Sequence, residues 1–340
     1  MRPADVVAGP VRVAGIVEVA GVTCEFWLYL PQMRMSFATI MERAKAAEEA
    51  GFDGVALMDH MAPPALPSAD MYDAITTAAA IAATTRRLRI GHLVLCSSFR
   101  HPCLLAKEVV SLDHLSGGRF ELGLGWGSVP DEHSRFGFPA EDAATRAARL
   151  EEYLIVLSAL WRGETVDHDG AFYTLRGARQ SPRPLAGRVP VVIGGAGPRL
   201  TMPLVARYAD WWNCPTYAFG RLDELRPAAG NARVSSQHPV GLAATSGDVT
   251  RVAELAQRRF GGWGGLITGT PDQVAGALAD LVLRGVERFY LQFSDFGEHE
   301  TLARFGDTVI PAVRSGDAVA RPAGGHWTHG SLGDVIVPRL

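Results

Sequence analysis

The chain alternates between short apolar runs and longer stretches in which apolar residues recur every three or four positions. Short runs of this kind are typical of buried strands, and the longer periodicity is typical of helices. The first pair shows the pattern: residues 25–30 are aromatic and apolar, Ser36 stands where a helix N-cap belongs, and Gly51 ends the helix that follows. Apolar strands that alternate with helices predict a parallel sheet with both faces buried.

Eight strands alternating with helices favour an α/β fold, a (β/α)8 TIM barrel. The predicted strands are residues 25–30, 53–58, 88–96, 119–124, 191–194, 210–213, 240–245 and 288–293. The predicted helices are residues 37–50, 72–85, 102–114, 142–161, 200–209, 271–284 and 300–313. The alternative is an open, doubly wound sheet, which would predict a glycine fingerprint after the first strand, where Leu30, Pro31 and Gln32 stand instead.

The regular alternation is interrupted between the fourth and fifth strands. Residues 125–139 are predicted to form a loop, residues 142–161 a long amphipathic helix, and residues 164–175 a hairpin. We therefore expect the barrel to carry an insertion of a long helix plus hairpin at this point. The predicted organisation is an N-terminal extension (1–23), the barrel (24–314) and a loose C-terminal tail (315–340).

Composition and charge restrict the class of protein. Of 340 residues, 47% are hydrophobic, which suits one large core. The 33 basic and 36 acidic residues are interspersed without a basic stripe, so we expect neither a nucleic acid nor a membrane as a partner. The four cysteines form no CxxC pair, and the sequence shows no signal peptide and no apolar run that could span a bilayer. These features together favour a cytoplasmic protein.

Candidate catalytic residues follow the predicted strands, because the active site of a TIM barrel lies at the C-terminal ends of its strands. Asp59 and His60 follow the second strand, and His60 could act as a general base or bind a cofactor ring. A structural Asp–His pair is the alternative. Glu132 and His133, after the fourth strand, could form an acid–base pair, but a solvated loop explains them as well.

Two glycine-rich segments could approach a ligand through their backbones. Residues 194–197 follow a predicted strand and open a helix, so their amides could hold a phosphate; the alternative is a tight turn that binds nothing. Residues 123–127 could approach a flat ligand, or form the base of a flexible loop. We expect no metal site, because His326 and His329 in the tail have no third ligand nearby.

Several longer phrases occur in a characteristic order. They are AEEAGFDGV (47–55), MDH (58–60), LDHLSGGR (112–119), GLGWG (123–127), PVVIGG (190–195) and ARYADWWN (206–213). Together they resemble the bacterial luciferase-like monooxygenase superfamily, whose members are TIM-barrel oxidoreductases that use a flavin or the deazaflavin F420. The resemblance covers about residues 24–314.

The resemblance implies FMN or F420 at the strand ends, with the ring across strands two to four and a non-proline cis peptide near Ser97. It implies that His60 is the catalytic residue. The implied cofactor-binding residues are Asp59, Cys96, Ser97, Ser98, Gly125, Trp126, Gly127, Gly194, Gly195, Ala196 and Gly197, and the implied substrate-binding residues are Phe99, Glu132 and Trp212. Similar sugar-phosphate dehydrogenases carry a tryptophan and a glutamate about where this chain has Pro64 and Ser128, so that activity is not predicted.

Three functions remain open at this level. The first is a monooxygenase that uses reduced FMN and O₂ on a small organic substrate, with a separate flavin reductase as partner. The second is an F420-dependent dehydrogenase or reductase that works by hydride transfer, with an F420 reductase as partner; an arginine-rich composition with only two lysines fits a GC-rich, F420-making host. The third is a non-catalytic flavin-binding partner subunit. By analogy with the superfamily, we also expect a homodimer.

Overall fold

The computed structural model describes residues 24–64, 66 and 68–320. The predicted N-terminal extension and most of the predicted tail, with His326 and His329, lie outside the described residues. The strands are β1 (Glu25–Tyr29), β2 (Gly54–Leu57), β3 (Arg89–His92), β4 (Leu95–Cys96), β5 (Leu122–Gly125), β6 (Val166–Asp169), β7 (Thr174–Ala178), β8 (Val191–Gly194), β9 (Trp211–Cys214), β10 (Arg233–Leu242), β11 (Ile267–Gly269) and β12 (Arg288–Phe293). The helices are α1 (Phe37–Glu49), α2 (Ala74–Thr84), α3 (Pro102–Ser116), α4 (Pro130–Phe136), α5 (Ala143–Trp161), α6 (Thr201–Tyr208), α7 (Leu222–Leu225), α8 (Val249–Phe260), α9 (Pro271–Leu283), α10 (His299–Arg304) and α11 (Ile310–Arg314).

The main sheet is parallel and closes into a barrel. Its strand order is β3-β2-β1-β12-β10-β9-β8-β5-β4, and β11 pairs with the end of β10. Strands β3 and β4 are two parts of one barrel strand, separated by Leu93 and Val94, whose peptide bond is cis. A parallel bridge between Ile90 and Phe120 joins this strand to the chain before β5. The predicted TIM barrel is confirmed, and the open sheet is excluded.

Local signals fix the helix ends. The Ser36 hydroxyl accepts a hydrogen bond from the Thr39 amide at the start of α1, and Gly51 after that helix has a φ of +81°. Pro102 occupies the first turn of α3, and the His101 side chain caps it by accepting from the Cys103 amide. Among the helices of the described residues, none has both the length and the apolar character that crossing a bilayer requires.

The insertion between β5 and β8 contains the predicted long helix, α5, and the antiparallel hairpin of β6 and β7. It also contains α4, which begins at Pro130 inside the segment predicted to be a loop. Strand β10 begins seven residues before its predicted start. Its first half holds polar residues rather than an apolar run, and these are paired internally: the Ser235 hydroxyl donates to the Trp212 carbonyl oxygen at 3.1 Å.

Side chains alternate between the two faces of the barrel strands. Along β12, Phe289, Leu291 and Phe293 join the core between strands and helices, whereas Tyr290 joins a second cluster inside the barrel. Arg288 lies at the N-terminal end of the interior and is 0% exposed. This interior therefore contains charge as well as apolar packing.

Arg288 is held by two carboxylates and two rings. Its guanidinium donates to Glu25 at 2.7 Å and to Glu121 at 2.6 Å. The centroids of Trp27 and Trp211 lie 4.4 and 3.7 Å from its Cζ atom. We name these five residues the barrel-base cluster. It fills the barrel interior at the end opposite the expected active site.

Candidate functional site

The C-terminal ends of the strands, here called the mouth, bring His60 and Glu132 together. His60 follows β2 and Glu132 lies on α4, yet His60 Nδ1 is 3.0 Å from Glu132 Oε2. The His60 side chain is 18% exposed and that of Glu132 only 6%. The fold thus places an imidazole, backed by a buried carboxylate, at the edge of the mouth. This arrangement is typical of a general acid–base residue and the group that orients it.

Glu132 is ionised by its surroundings. Burial on its own raises the pKa of Glu132, but the hydrogen bond and charge of His60 and the amides of Met61 and Ala62, both of which donate to Glu132 Oε1, outweigh burial and lower it. The solvated-loop alternative is therefore wrong, and so is pairing with His133. That residue is buried and turns away, with Nε2 3.7 Å from Cys96 Sγ.

The lowered pKa makes the stability of this pair dependent on pH. A carboxyl group whose pKa is lower in the folded state stabilises the protein above its unfolded pKa, and this contribution is lost as the pH falls through the folded pKa. We expect the difference in free energy of unfolding between the wild type and Glu132→Gln to be full above about pH 5 and to shrink as the pH falls below the ordinary glutamate pKa of about 4.3. Urea titrations measure it, with Glu300→Gln, an exposed site, as control. A difference that stays constant with pH would contradict the assignment.

Asp59 does not pair with His60. Its carboxylate accepts two hydrogen bonds from Arg100, at 2.6 and 3.0 Å, and a third from the Cys96 amide at 2.8 Å. Asp59 thus fastens the end of β2 to the chain that follows β4, and the structural Asp–His pair is not formed. Burial raises the pKa of the Cys96 thiol to about 12, so Cys96 is a packing residue rather than a nucleophile at neutral pH.

The residues after β4 combine unpaired hydroxyls with aromatic packing. The Oγ atoms of Ser97 and Ser98 are buried and have no hydrogen-bond partner among the described residues. Phe99 packs on Phe138, with ring centroids 4.6 Å apart. Both serines and Phe99 line a cavity of about 230 Å³ that extends toward Arg149 and Tyr173 of the insertion. The expected cis peptide is present, but it lies at Leu93–Val94 rather than at Ser97.

The glycines of β5 and its loop have a packing function. A Cβ atom at Gly123 would lie 1.7 Å from the His92 carbonyl oxygen, and one at Gly125 would lie 2.8 Å from Val94. Gly127, with a φ of +88°, similarly makes room for His133 and Cys96. Trp126 packs partly buried against the core between strands and helices. Gly123 and Gly125 let the chain around the break between β3 and β4 approach β5, so these residues are not the base of a flexible loop. That they contact a cofactor stays a prediction.

Residues 194–197 form a turn between β8 and α6. Gly195 has a φ of +127°, which favours glycine, and its amide donates to the Asn213 carbonyl oxygen at 3.2 Å. Gly194 and Gly197 are partly exposed, whereas Ala196 is buried.

The prediction for Trp212 is corrected: it is 0% exposed and packs in the core between strands and helices. Its indole N–H donates to the Gly195 carbonyl oxygen at 2.8 Å, so it supports the turn and does not line the mouth.

One buried polar residue of the mouth, Gln292, is not among the site residues predicted from the sequence. Gln292 on β12 is 0% exposed, and neither Oε1 nor Nε2 has a hydrogen-bond partner in the part of the chain that the structure describes. The signal was the alternation in β12, where Arg288, Tyr290 and Gln292 occupy every second position of an otherwise apolar run.

No three metal-ligating side chains converge within the described residues.

Known proteins are similar to this chain in sequence. The model of the family described as luciferase-like monooxygenase matches residues 21–229. A curated F420-dependent glucose-6-phosphate dehydrogenase of Microbacterium testaceum is 36% identical over 165 residues, 48% of each chain. The chain thus spans about half the length of this curated relative.

Solved structures share the fold at low sequence identity. An F420-dependent secondary alcohol dehydrogenase, solved with an F420–acetone adduct, superposes with a TM-score of 0.74 at 20% identity, covering 86% of this chain and 99% of that one. The EDTA monooxygenase of Chelativorans sp. BNC1 has a TM-score of 0.74 at 18% identity, covering 89% and 96%. At these identities the similarity shows the fold alone.

Proposed function

The chain belongs to the luciferase-like monooxygenase family, and from that premise we propose that it is an F420-dependent oxidoreductase that transfers a hydride to or from a small organic substrate. The observation that carries the proposal is His60 at the mouth, held by the buried carboxylate of Glu132. The named relative at 36% identity is F420-dependent, which supports the deazaflavin over FMN. The FMN-dependent monooxygenase, placed first in the sequence analysis, has the weaker support of a fold likeness at 18% identity.

The His60–Glu132 pair defines which ring nitrogen exchanges protons. Because the ionised Glu132 carboxylate can only accept a hydrogen bond, His60 Nδ1 carries the hydrogen, and Nε2 is the ring nitrogen that exchanges a proton with the substrate. His60 Nε2 takes the hydroxyl proton of a substrate being oxidised, or returns a proton to the oxygen of one being reduced. When bound, F420 supplies the two-electron hydride acceptor or donor. An intact pair of this kind also speaks against a non-catalytic partner subunit.

The residues of the mouth fit a cofactor of this type. Its phosphate would bind beside Gly195 and at Gly197, where α6 begins; the Gly195 amide itself already donates to the Asn213 carbonyl oxygen. Its ring would lie between His60 and the segment from Val94 to Ser98, where the two serine hydroxyls have no partner in the described chain. Trp212 would hold the phosphate turn from behind.

The proposed partners follow from this chemistry. A hydride carrier must be regenerated by a second reaction, so a separate F420 reductase or dehydrogenase is proposed as the functional partner. For the homodimer, α3 offers a surface: Leu104 and Leu115 are 53% and 50% exposed beside a groove between α2 and α3. Both assignments are proposals.

Cofactor titration tests the function. We expect F420, followed by its fluorescence, to bind the purified protein at least tenfold more tightly than FMN or reduced FMN. Turnover should then proceed under argon as well as in air, because hydride transfer consumes no O₂. Tighter binding of reduced FMN together with O₂-dependent turnover would establish the monooxygenase instead. Binding of none of the three would favour the non-catalytic subunit.

Substitution of Gly195 tests the phosphate position. We expect Gly195→Asp to weaken F420 binding at least tenfold more than Gly195→Asn does, because the two side chains have the same shape and only aspartate brings negative charge to the phosphate. Both variants carry the same backbone strain at a φ of +127° and the same close approach to Thr201, so the comparison between them isolates the effect of charge. The gap between their dissociation constants should narrow as salt is added. Equal affinities for the two variants would place the phosphate elsewhere.

A further inference from the structure

Gln292 is an unsatisfied amide at the centre of the barrel. Its side chain is fully buried, and both Oε1 and Nε2 are without a hydrogen-bond partner among the described residues. Native proteins satisfy nearly all buried polar side chains, since leaving one unpaired costs free energy. The buried Gln32 shows the usual situation: its Nε2 donates to the Met58 carbonyl oxygen at 2.5 Å, and its Oε1 accepts from the Met58 amide at 3.3 Å.

The strand geometry places Gln292 at the floor of the mouth. Tyr290, two residues earlier on β12, points into the barrel interior, so Gln292 points inward one level closer to the C-terminal end. It lies opposite Pro239 of β10, and the register of β1 places Tyr29 beside it on the other side. The Tyr29 hydroxyl donates to the Leu93 carbonyl oxygen at 3.2 Å, which links this floor to the segment where the ring is proposed to lie.

Much of the wall around this floor is apolar, although Gln237 of β10 and Asn213 of β9 share the inward face. The interior cluster that contains Tyr29 and Tyr290 also includes Met33, Met58 and Leu93, with Met71, Val94, Trp263 and Phe296 packed against it. An amide in such surroundings discriminates strongly between ligands, because a ligand that cannot pair with it leaves it unsatisfied. The site is therefore selective for a compound with an apolar body and one polar atom.

We propose that Gln292 is a specificity-determining residue that binds the oxygen of a neutral hydroxyl or carbonyl substrate, an inference that rests on the proposed oxidoreductase function. Nε2 donates to the substrate oxygen in both the hydroxyl and the carbonyl form, so that the hydroxyl proton stays available to His60 Nε2. The same amide thus binds both members of a hydroxyl–carbonyl pair.

The charges of the mouth argue for a neutral substrate rather than a phosphorylated one. An anion would be bound by a cation with free donors. Arg100 is engaged by Asp59, Arg149 is paired with Glu141, and Arg259 donates to the Ser294 carbonyl oxygen. The amide at the floor carries no charge itself. We therefore expect this chain to differ in substrate from its relative named a glucose-6-phosphate dehydrogenase.

Replacing Gln292 by methionine, which keeps the size and removes the amide, tests the proposal. Cyclohexanone and cyclohexanol serve as neutral probes and glucose 6-phosphate as the anionic one. We expect Gln292→Met to weaken cyclohexanone binding, measured by calorimetry on cofactor-free and F420-loaded protein, by about ten- to hundredfold. The F420 dissociation constant should stay within about twofold. Gln257→Met, on the exposed face of α8, is the matched control and should change neither.

Thermal unfolding separates recognition from a structural role. Because the amide is unpaired in the unliganded protein, Gln292→Met should unfold at the same temperature as the wild type or higher. A lower melting temperature with unchanged cyclohexanone affinity would overturn the proposal. Weakened F420 binding with unchanged cyclohexanone affinity would mean that the amide binds the cofactor. Tighter binding of glucose 6-phosphate than of either neutral probe, or no binding of the neutral probes by the wild type, would also overturn it.

The proposed function fails in a different way. Wild-type protein that binds no F420 would refute it, while calorimetry with cyclohexanone on the cofactor-free protein would still report on Gln292 alone.

Discussion

Replacing His60 by alanine is expected to lower kcat by about 10²–10⁴-fold, the usual contribution of a positioned general acid–base residue. His60 is the imidazole at the mouth that a buried, ionised carboxylate orients, and Nε2 is its free nitrogen. The F420 dissociation constant should change by less than about threefold, because the phosphate contacts are proposed to lie on the far turn after β8. Steady-state rates with a neutral alcohol and F420, together with fluorescence titration, measure both quantities.

The chain supplies a matched control for this variant. His168 Nε2 lies 3.0 Å from Glu152 Oε1 in the insertion, and the two side chains are 22% and 11% exposed, close to the values for His60 and Glu132. His168→Ala therefore removes a histidine–glutamate pair of the same length and similar burial away from the mouth. We expect it to keep kcat within about threefold. An equal loss of kcat in the two variants, or none in His60→Ala, would reject the catalytic assignment.

Replacing Arg288 by methionine is expected to lower the free energy of unfolding by about 3–5 kcal/mol, the largest stability effect that we predict. Removal of the guanidinium leaves the partly buried Glu25 and the buried Glu121 with Arg89 as their remaining common partner. Burial raises the pKa of Glu25, but the charges of Arg288 and Arg89 outweigh burial and hold it below its ordinary value. Of these two charges Arg288 has the larger effect, and the variant loses it. Urea unfolding at neutral pH measures the difference.

Two further variants make the result specific to buried charge. Arg162→Met breaks an ion pair with Glu164 whose side chains are 56% and 52% exposed, and it should cost less than about 1 kcal/mol. Adding Glu25→Gln and Glu121→Gln to Arg288→Met removes the carboxylates that have lost Arg288 and should recover part of the loss. A change below about 1 kcal/mol for Arg288→Met alone would mean that the barrel-base cluster contributes little to stability.

Local chemistry made most of the fold predictable. Ser36, Gly51 and Pro102 mark helix ends by rules that act within a few residues, and the structure places those ends where the rules do. Helix α4 was missed because its seven residues are too few for an apolar period to show. The early start of β10 was missed because its interior polar residues find partners only on other strands.

The candidate site was less predictable, because its contacts join distant parts of the chain. His60 and Glu132 were each picked out, but their contact spans 72 positions, and no local pattern links them. Trp211 and Trp212 are adjacent in sequence, and only the phase of the strand decides that Trp211 points inward and Trp212 outward. Gly123 and Gly125 were interpreted as a possible ligand contact. The chain that packs against them, between β3 and β4, is distant in sequence, so no local pattern shows that approach.

The barrel-base cluster also sets how ligands move through the protein. Because Arg288 and its partners fill the interior at the far end, we expect ligands to enter the described part of the barrel from the mouth. The substrate and the cofactor ring must then share that opening, because His60 and Gln292 have to reach the same substrate oxygen while the ring lies beside it. Closure of the far end of the barrel by charge thus makes the volume of the mouth the limit on the size of a substrate that fits beside the cofactor.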